Sequence, residues 1–177
     1  MHNIDNLDQQ ILRVLTKDAR TPYAEMAKNF GVSPGTIHVR VEKMRQSGII
    51  EGTKVKINER KLGYDVCGFI GIILKSAKDY DKVIKKLEAI DEVVEAYYTT
   101  GNYSIFIKVM THTIAELHLV LSAKIQLIDE IQSTETLISM QNPILRDIKP
   151  EKTKNKKGGC YVRSLSPRLN KSHVRWG

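Results

Sequence analysis

From Val66 to Leu74 the chain is almost wholly apolar, with Gly68 and Gly71 inside the run. Nine residues are too few for a membrane helix, which needs about 18. The run instead predicts a strand covered on both faces. Such a strand requires other layers, and the following sequence supplies them. Tyr80, Val83, Ile84 and Leu87 recur at helical spacing. Val93 to Thr100 and Tyr103 to Met110 read as two strands joined through Gly101-Asn102, a dipeptide suited to a tight hairpin. Ile114, Leu117, Leu121, Ile125 and Ile128 mark a longer helix, and Ile131 to Met140 a last strand. The order βαββαβ predicts a ferredoxin-like domain over residues 61–150, an antiparallel sheet with both helices on one face.

Residues 1–60 have a different texture. Leu7, Ile11, Val14 and Leu15 place an apolar stripe on a helix over 5–17 that Asp5 can cap. A second helix opens at Thr21-Pro22 with Pro22 as its first helical residue, buries Tyr23, Met26, Ala27 and Phe30, and ends at Gly31. Ser33 is a natural N-cap for a third helix over about 34–47, whose Ile37, Val41 and Met44 face inward. Gly48 stops it. Ile49 to Ile57 then alternates, with Val55 and Ile57 against Lys54 and Lys56, which predicts a strand or wing. The fold class expected is α+β, a winged helix-turn-helix followed by the ferredoxin-like domain.

The net charge of +8 is unevenly placed. Residues 151–177 carry eight Lys or Arg against Glu151 alone, while residues 1–150 are nearly neutral. The pI of 9.4 therefore describes a tail, and nucleic-acid binding has to be argued from a motif. Cys67 and Cys160, far apart and outside any CxxC, exclude a disulfide scaffold or zinc ribbon. Without a signal peptide or membrane span, the chain is expected to be soluble and cytoplasmic. His2, His38, His112, His118 and His173 lack ligand spacing, so no metal is expected. There is no phosphate loop, nucleophile elbow or HExxH, so neither a catalytic group nor a cofactor is expected.

Phe30-Gly31-Val32-Ser33 joins two short helices at the compact corner of a helix-turn-helix. Ser33 and Thr36 stand at a helix N-terminus, where hydroxyls and the positive helix end favour phosphate. Arg40 and Lys43 are suited to neutralise phosphate or read guanine. The candidate DNA-contacting set is Tyr23, Ser33, Pro34, Gly35, Thr36, His38, Val39, Arg40 and Lys43. Glu42 reads as a helix-stabilising neighbour of Arg40 or Arg45. A three-helix packing unit with a solvated polar face is the plainer alternative. In the second half, the hairpin around Gly101 offers neutral polar groups suited to a zwitterionic or amide ligand, against the alternative of an ordinary turn.

Several strings resemble one family. Ile4-Asp5-Asn6-Leu7-Asp8 with Ile11-Leu12, Asp18-Ala19-Arg20-Thr21, Phe30-Gly31-Val32-Ser33, Arg40, Gly48-Ile49-Ile50, Leu62-Gly63-Tyr64, Thr99-Thr100-Gly101-Asn102-Tyr103 and Ile131-Gln132-Ser133-Thr134-Glu135-Thr136 are similar to those of the Lrp/AsnC transcriptional regulators. The likeness covers about 4–150. Pro34 to Met44 and Ile70 to Tyr80 resemble the asparagine-responsive members.

The resemblance implies a regulator that binds double-stranded operator DNA through its N-terminal domain. It further implies an amino-acid effector, L-asparagine, and control of an asparagine synthetase gene and of the regulator's own. It assigns effector contacts to Thr100, Gly101, Asn102, Tyr103 and Ser104, and to Thr134, Glu135 and Thr136 in the loop entering the last strand. Homodimers pairing through their sheets and assembling into octamers are implied as well. Phe69, Gly71 and Ile73 could then face helices while Ile70, Ile72 and Leu74 face a partner, or the reverse. Residues 151–177, which read as disordered, continue past the family's usual stop near Pro150. They are expected to be an extension rather than a DNA-binding arm.

Three alternatives remain at this level. A leucine-type broad regulator would answer to other amino acids. An architectural DNA-binding protein would need no effector. A ferredoxin-like enzyme would need convergent titratable groups in the sheet's cleft, and Glu88, Asp91, Glu92 and Glu95 read as a solvated face.

Overall fold

The computed structural model describes residues 4–150. The basic tail expected over 151–177 lies outside them. The chain divides into two units, with boundaries between Thr53 and Lys54 and between Arg146 and Asp147; the second unit is Lys54–Arg146.

The first unit holds three helices, α1 (Asn6–Leu15), α2 (Tyr23–Phe30) and α3 (Pro34–Gln46). Asp5 caps α1 in a reciprocal capping box: its carboxylate accepts from Asp8 N–H at 2.9 Å, and Asp8 accepts from Asp5 N–H at 3.1 Å. Pro22 is the cap of α2 rather than its first helical residue, a shift of one position. Gly31 ends α2 in the left-handed region, φ 67°, a conformation that L side chains resist. Ile11, Met26, Ala27, Ile37, Val41 and Met44 form the core where the three helices meet. Residues 51–58 do not form the expected strand, and Val55 and Ile57 stand exposed. Alternation permits a strand, but only a neighbouring edge to hydrogen-bond with makes one.

The second unit is a four-stranded sheet with strand order β2-β3-β1-β4. The strands are β1 (Val66–Leu74), β2 (Val93–Tyr98), β3 (Ile105–Thr111) and β4 (Ile131–Ile138). Every pairing is antiparallel. With α4 (Tyr80–Glu88) after β1 and α5 (Ile114–Leu119) after β3, this is the ferredoxin-like topology, and the chain as a whole is α+β.

The strand register settles which face of β1 is covered. Ile70, Ile72 and Leu74 join Ile105, Ile107 and Val109 of β3, with Val83, Leu87 and Leu117 from the helices, in a single core. A Cβ on Gly68 would lie 3.1 Å from Leu117, so this glycine lets α5 approach the sheet closely. Phe69, Gly71 and Ile73 point to the opposite face, which no element of the unit covers. They share it with Phe106, Lys108, Glu135 and Leu137, their cross-strand neighbours.

Two local expectations need revision. The hairpin is not a two-residue turn; β2 and β3 are joined by residues 99–104. Thr99 holds that loop open, donating its N–H to Ser104 O at 3.1 Å and its hydroxyl to Tyr103 O at 2.7 Å. The long helix is α-helical only to Leu119 and continues over Val120–Ile125 as a π-helix. Its wider turn lets Val120 and Ile125, five residues apart, both be buried.

Candidate nucleic-acid interface and effector face

The N-terminus of α3 is organised by its own cap. Ser33 Oγ accepts from Thr36 N–H at 3.1 Å, and the two hydroxyls lie 2.9 Å apart. Ile37, Val41 and Met44 turn inward. Ser33, Pro34, Gly35, His38, Val39 and Lys43 are exposed, and Thr36 is half-buried. Val39 leaves 49% of its surface to solvent, an apolar group on a polar helix face suited to a thymine methyl. Tyr23, half-buried on α2, sets its ring 6.0 Å from that of His38. Arg45 pairs with Glu42 at 2.8 Å, as expected for a helix-stabilising neighbour.

Arg40, expected to meet phosphate or guanine, is paired within its own unit to the two carboxylates at the start of α1. Its Nη1 bonds the Asp5 carboxylate and lies 3.2 Å and 3.3 Å from the two oxygens of Asp8, which is fully buried. Position and charge alone suggested an outward residue. A buried carboxylate on α1 calls the guanidinium inward, because an unpaired buried charge is costly. Hydrogen bonds from the Asp8 backbone first, and then from Arg40, hold the Asp5 carboxyl below the usual carboxylate range.

In the second unit the expected effector residues are divided between the two faces of the sheet. On the uncovered face the Tyr103 hydroxyl donates to the Glu135 carboxylate, crossing β1 above Gly71. That bond, more than any other cause, raises the Tyr103 phenol above its ordinary value. Ser104 is tied to β1, its N–H donating to Ile72 O at 2.8 Å. Thr134 and Thr136 lie opposite Ile72 and Ile70, so they point to the helix face. They lie within β4, not in a loop entering it, because β4 already begins at Ile131. Thr134 Oγ1 accepts from Gln126 Nε2 at 3.2 Å. The buried Thr136 hydroxyl has no hydrogen-bond partner among the described residues. Thr100, Gly101 and Asn102 form the exposed tip of the hairpin, with Gly101 at φ 112°.

Two clefts lie among the described residues of the second unit, and neither gathers these groups. A cleft of about 230 Å³ beside β4 contains Thr134, with Gln126, Gln132 and Ser133. A larger one, about 400 Å³, contains none of the expected residues. It is lined by Tyr64 and His112, stacked 4.3 Å apart, and by the acids Glu59, Asp91, Glu92 and Glu116. Its residues come from three separate segments, so no local motif announced it. Lys124, 2.6 Å from Glu92, holds that carboxyl below its ordinary value. Among the described residues no group of three or more His, Cys, Asp or Glu could hold a metal ion, and no helix is long and apolar enough to cross a membrane.

The two units correspond to two known domain types. Residues 4–45 match the AsnC-type helix-turn-helix domain, and residues 67–148 the Lrp/AsnC ligand binding domain. The chain is 91% identical over 150 residues to Regulatory protein AsnC of Haemophilus influenzae, an overlap spanning 85% of this chain and 100% of that relative. Against Regulatory protein AsnC of Escherichia coli K12 the identity is 68% over 147 residues, 83% of this chain and 97% of the relative. The solved structure of E. coli AsnC superposes with a TM-score of 0.82 at 66% identity, covering 84% of this chain and all of that one. With an AsnC-type helix-turn-helix domain in one unit and an Lrp/AsnC ligand binding domain in the other, the chain belongs to the Lrp/AsnC family and is a DNA-binding transcriptional regulator.

Proposed function

We propose that this regulator binds operator DNA with an affinity set by L-asparagine, and that it controls an asparagine synthetase gene and its own. The DNA contacts are Ser33, Pro34, Gly35, Thr36, His38, Val39 and Lys43 on the exposed side of α3, with Tyr23 beside His38. An amino acid that binds one arrangement of the protein better than another shifts DNA affinity by that difference and no more.

The observation that carries the effector half is the Thr136 hydroxyl, buried without a partner in the strand that the family resemblance assigns to the effector. A buried hydroxyl is ordinarily satisfied, and a ligand amide or carboxylate would satisfy this one. The remaining contacts are Thr100, Gly101, Asn102, Tyr103, Ser104, Thr134 and Glu135. Their division between two faces of one sheet fits a site completed by more than one copy of the chain. Homodimers pair through the uncovered sheet face, where Phe69 and Phe106 stack 5.9 Å apart, and assemble into octamers. The protein acts in the cytoplasm, where operator DNA and free amino acids meet.

Fluorescence anisotropy on a labelled duplex from an asparagine synthetase promoter tests this, with each common amino acid added at millimolar concentration. A change in Kd with asparagine alone is expected. A response to leucine or to several amino acids would replace it with a leucine-type regulator. No response to any would leave an effector-independent DNA binder.

A further inference from the structure

Apolar contacts hold α3 against its neighbours, but such contacts have little directional preference. Ile37, Val41 and Met44 would tolerate small rotations of the helix, and rotation changes which side chains face outward. The polar contact at the same seam is directional. Arg40 lies three residues after Ile37 and four before Met44, at the margin of the buried stripe. Its guanidinium reaches the first turn of α1, where Asp5 and Asp8 already hold each other in the capping box. Asp8 is 0% exposed, and a single guanidinium nitrogen, Nη1, meets both carboxylates, which leaves the side chain few places to stand.

We propose that Arg40 is a positioning residue for DNA recognition: by pairing with Asp5 and Asp8 it fixes the rotation of α3 against the start of α1, and it makes no contact with phosphate or base. The inference rests on α3 being the reading helix. It assigns the most inward basic side chain of that helix to orientation, and leaves phosphate neutralisation on α3 to Lys43. Specificity then depends on Asp5 and Asp8, residues of a different helix.

Asp5→Asn and Arg40→Gln in the full-length chain separate the two roles. Asparagine caps helices about as well as aspartate, so Asp5→Asn removes a charge from the pair and leaves α1 capped. Binding is followed by anisotropy on an operator duplex and a scrambled duplex over a salt series, with far-UV circular dichroism and a thermal melt on each variant. Positioning predicts that both variants lose roughly ten-fold of the operator-over-scrambled preference, a loss expected of a misplaced reading helix. The slope of log K against log salt stays at the wild-type value. Arg40→Lys, which keeps the charge but not the planar guanidinium that delivers Nη1 between the two carboxylates, does not restore the preference.

A phosphate contact predicts the opposite on each count. Arg40→Gln would lower the slope by about 0.9 per subunit. Asp5→Asn would tighten binding by releasing Arg40, and Arg40→Lys would bind nearly as wild type. Any of these overturns the proposal, as does unchanged preference in both folded variants. Should Arg40→Gln fail to fold, Asp5→Asn decides alone, since Asp5 is 47% exposed and its replacement keeps the cap. Wild-type protein with no operator preference overturns the assignment of α3 as the reading helix, and with it the proposal, before any variant is made.

Discussion

The ring of Tyr103 occupies the space directly above Gly71. A Cβ built on that glycine would lie 2.6 Å from Tyr103 Cδ1 and 2.7 Å from Cε1 and Cγ. Real Cβ contacts are essentially never closer than 3.0 Å, so the missing side chain is what lets Tyr103 cross β1 and bond Glu135 on the edge strand. Gly71→Ala is expected to displace the ring, break that bond and cost about 1–3 kcal/mol, the usual range for overpacking. Urea denaturation measures the loss. In a Tyr103→Ala background most of it should vanish, so the double-mutant cycle reports a coupling close to the single-mutant cost.

The Asp5 carboxyl titrates below its ordinary value, so its protonation opposes folding of the first unit. The stabilisation is complete above the ordinary aspartate pKa of about 3.9 and is lost as the pH falls through the lower folded value. Melts between pH 6 and pH 2, followed by a probe in residues 4–53, should show Asp5→Asn flatter than wild type at the acid end. Near neutral pH the variant should be the less stable of the two.

Lys43 is exposed on α3 and carries no ion pair among the described residues. Lys43→Ala is expected to weaken operator and scrambled DNA by similar factors and to reduce the salt slope by about 0.9 per subunit. Val39→Ser should act differently, leaving the slope unchanged while relaxing preference at a single base position. Anisotropy titrations on singly substituted operators check both.

Phe69→Glu places a charge in the middle of the uncovered sheet face, beside Phe106. Sedimentation should show the wild-type assembly replaced by monomers that keep native circular dichroism. On the same face, burial pushes the Cys67 thiol up. In a Cys160→Ser background it should therefore react slowly with a thiol reagent at neutral pH, and faster in the Phe69→Glu protein.

Much of this architecture is legible from periodicity because local and global preferences agree. Leu7 and Ile11, Ile37 and Val41, and the alternation of Ile105, Ile107 and Val109 each bury the stripe that their spacing suggests. The failures have a common cause, a partner distant in sequence. Val55 and Ile57 alternate properly yet have no strand to pair with. Arg40 carries the charge of an outward-facing helix residue, but its pairing with Asp8, 32 residues away, is not visible in the local sequence. Thr134 and Thr136 lie on β4, but nothing local indicates that they point away from Tyr103 and Glu135. The π-helix after Leu119 preserves the apolar spacing well enough to be read as an ordinary α-helix. The cleft around Tyr64 and His112 is assembled from three segments, at Glu59 and Tyr64, at Asp91 to Val94 and at Met110 to Glu116, and leaves no trace in any one of them.

The uncovered side of the sheet also bears on how much of this protein a cell holds. Phe69, Ile73, Phe106 and Leu137 are set in a rigid β surface, so a lone chain has no means of folding them away. If two copies shelter them from water, stability becomes a function of abundance, because association with the folded form adds to it by mass action. A regulator that controls its own gene would then tune both its supply and its durability, with scarce copies being the first to unfold and be degraded.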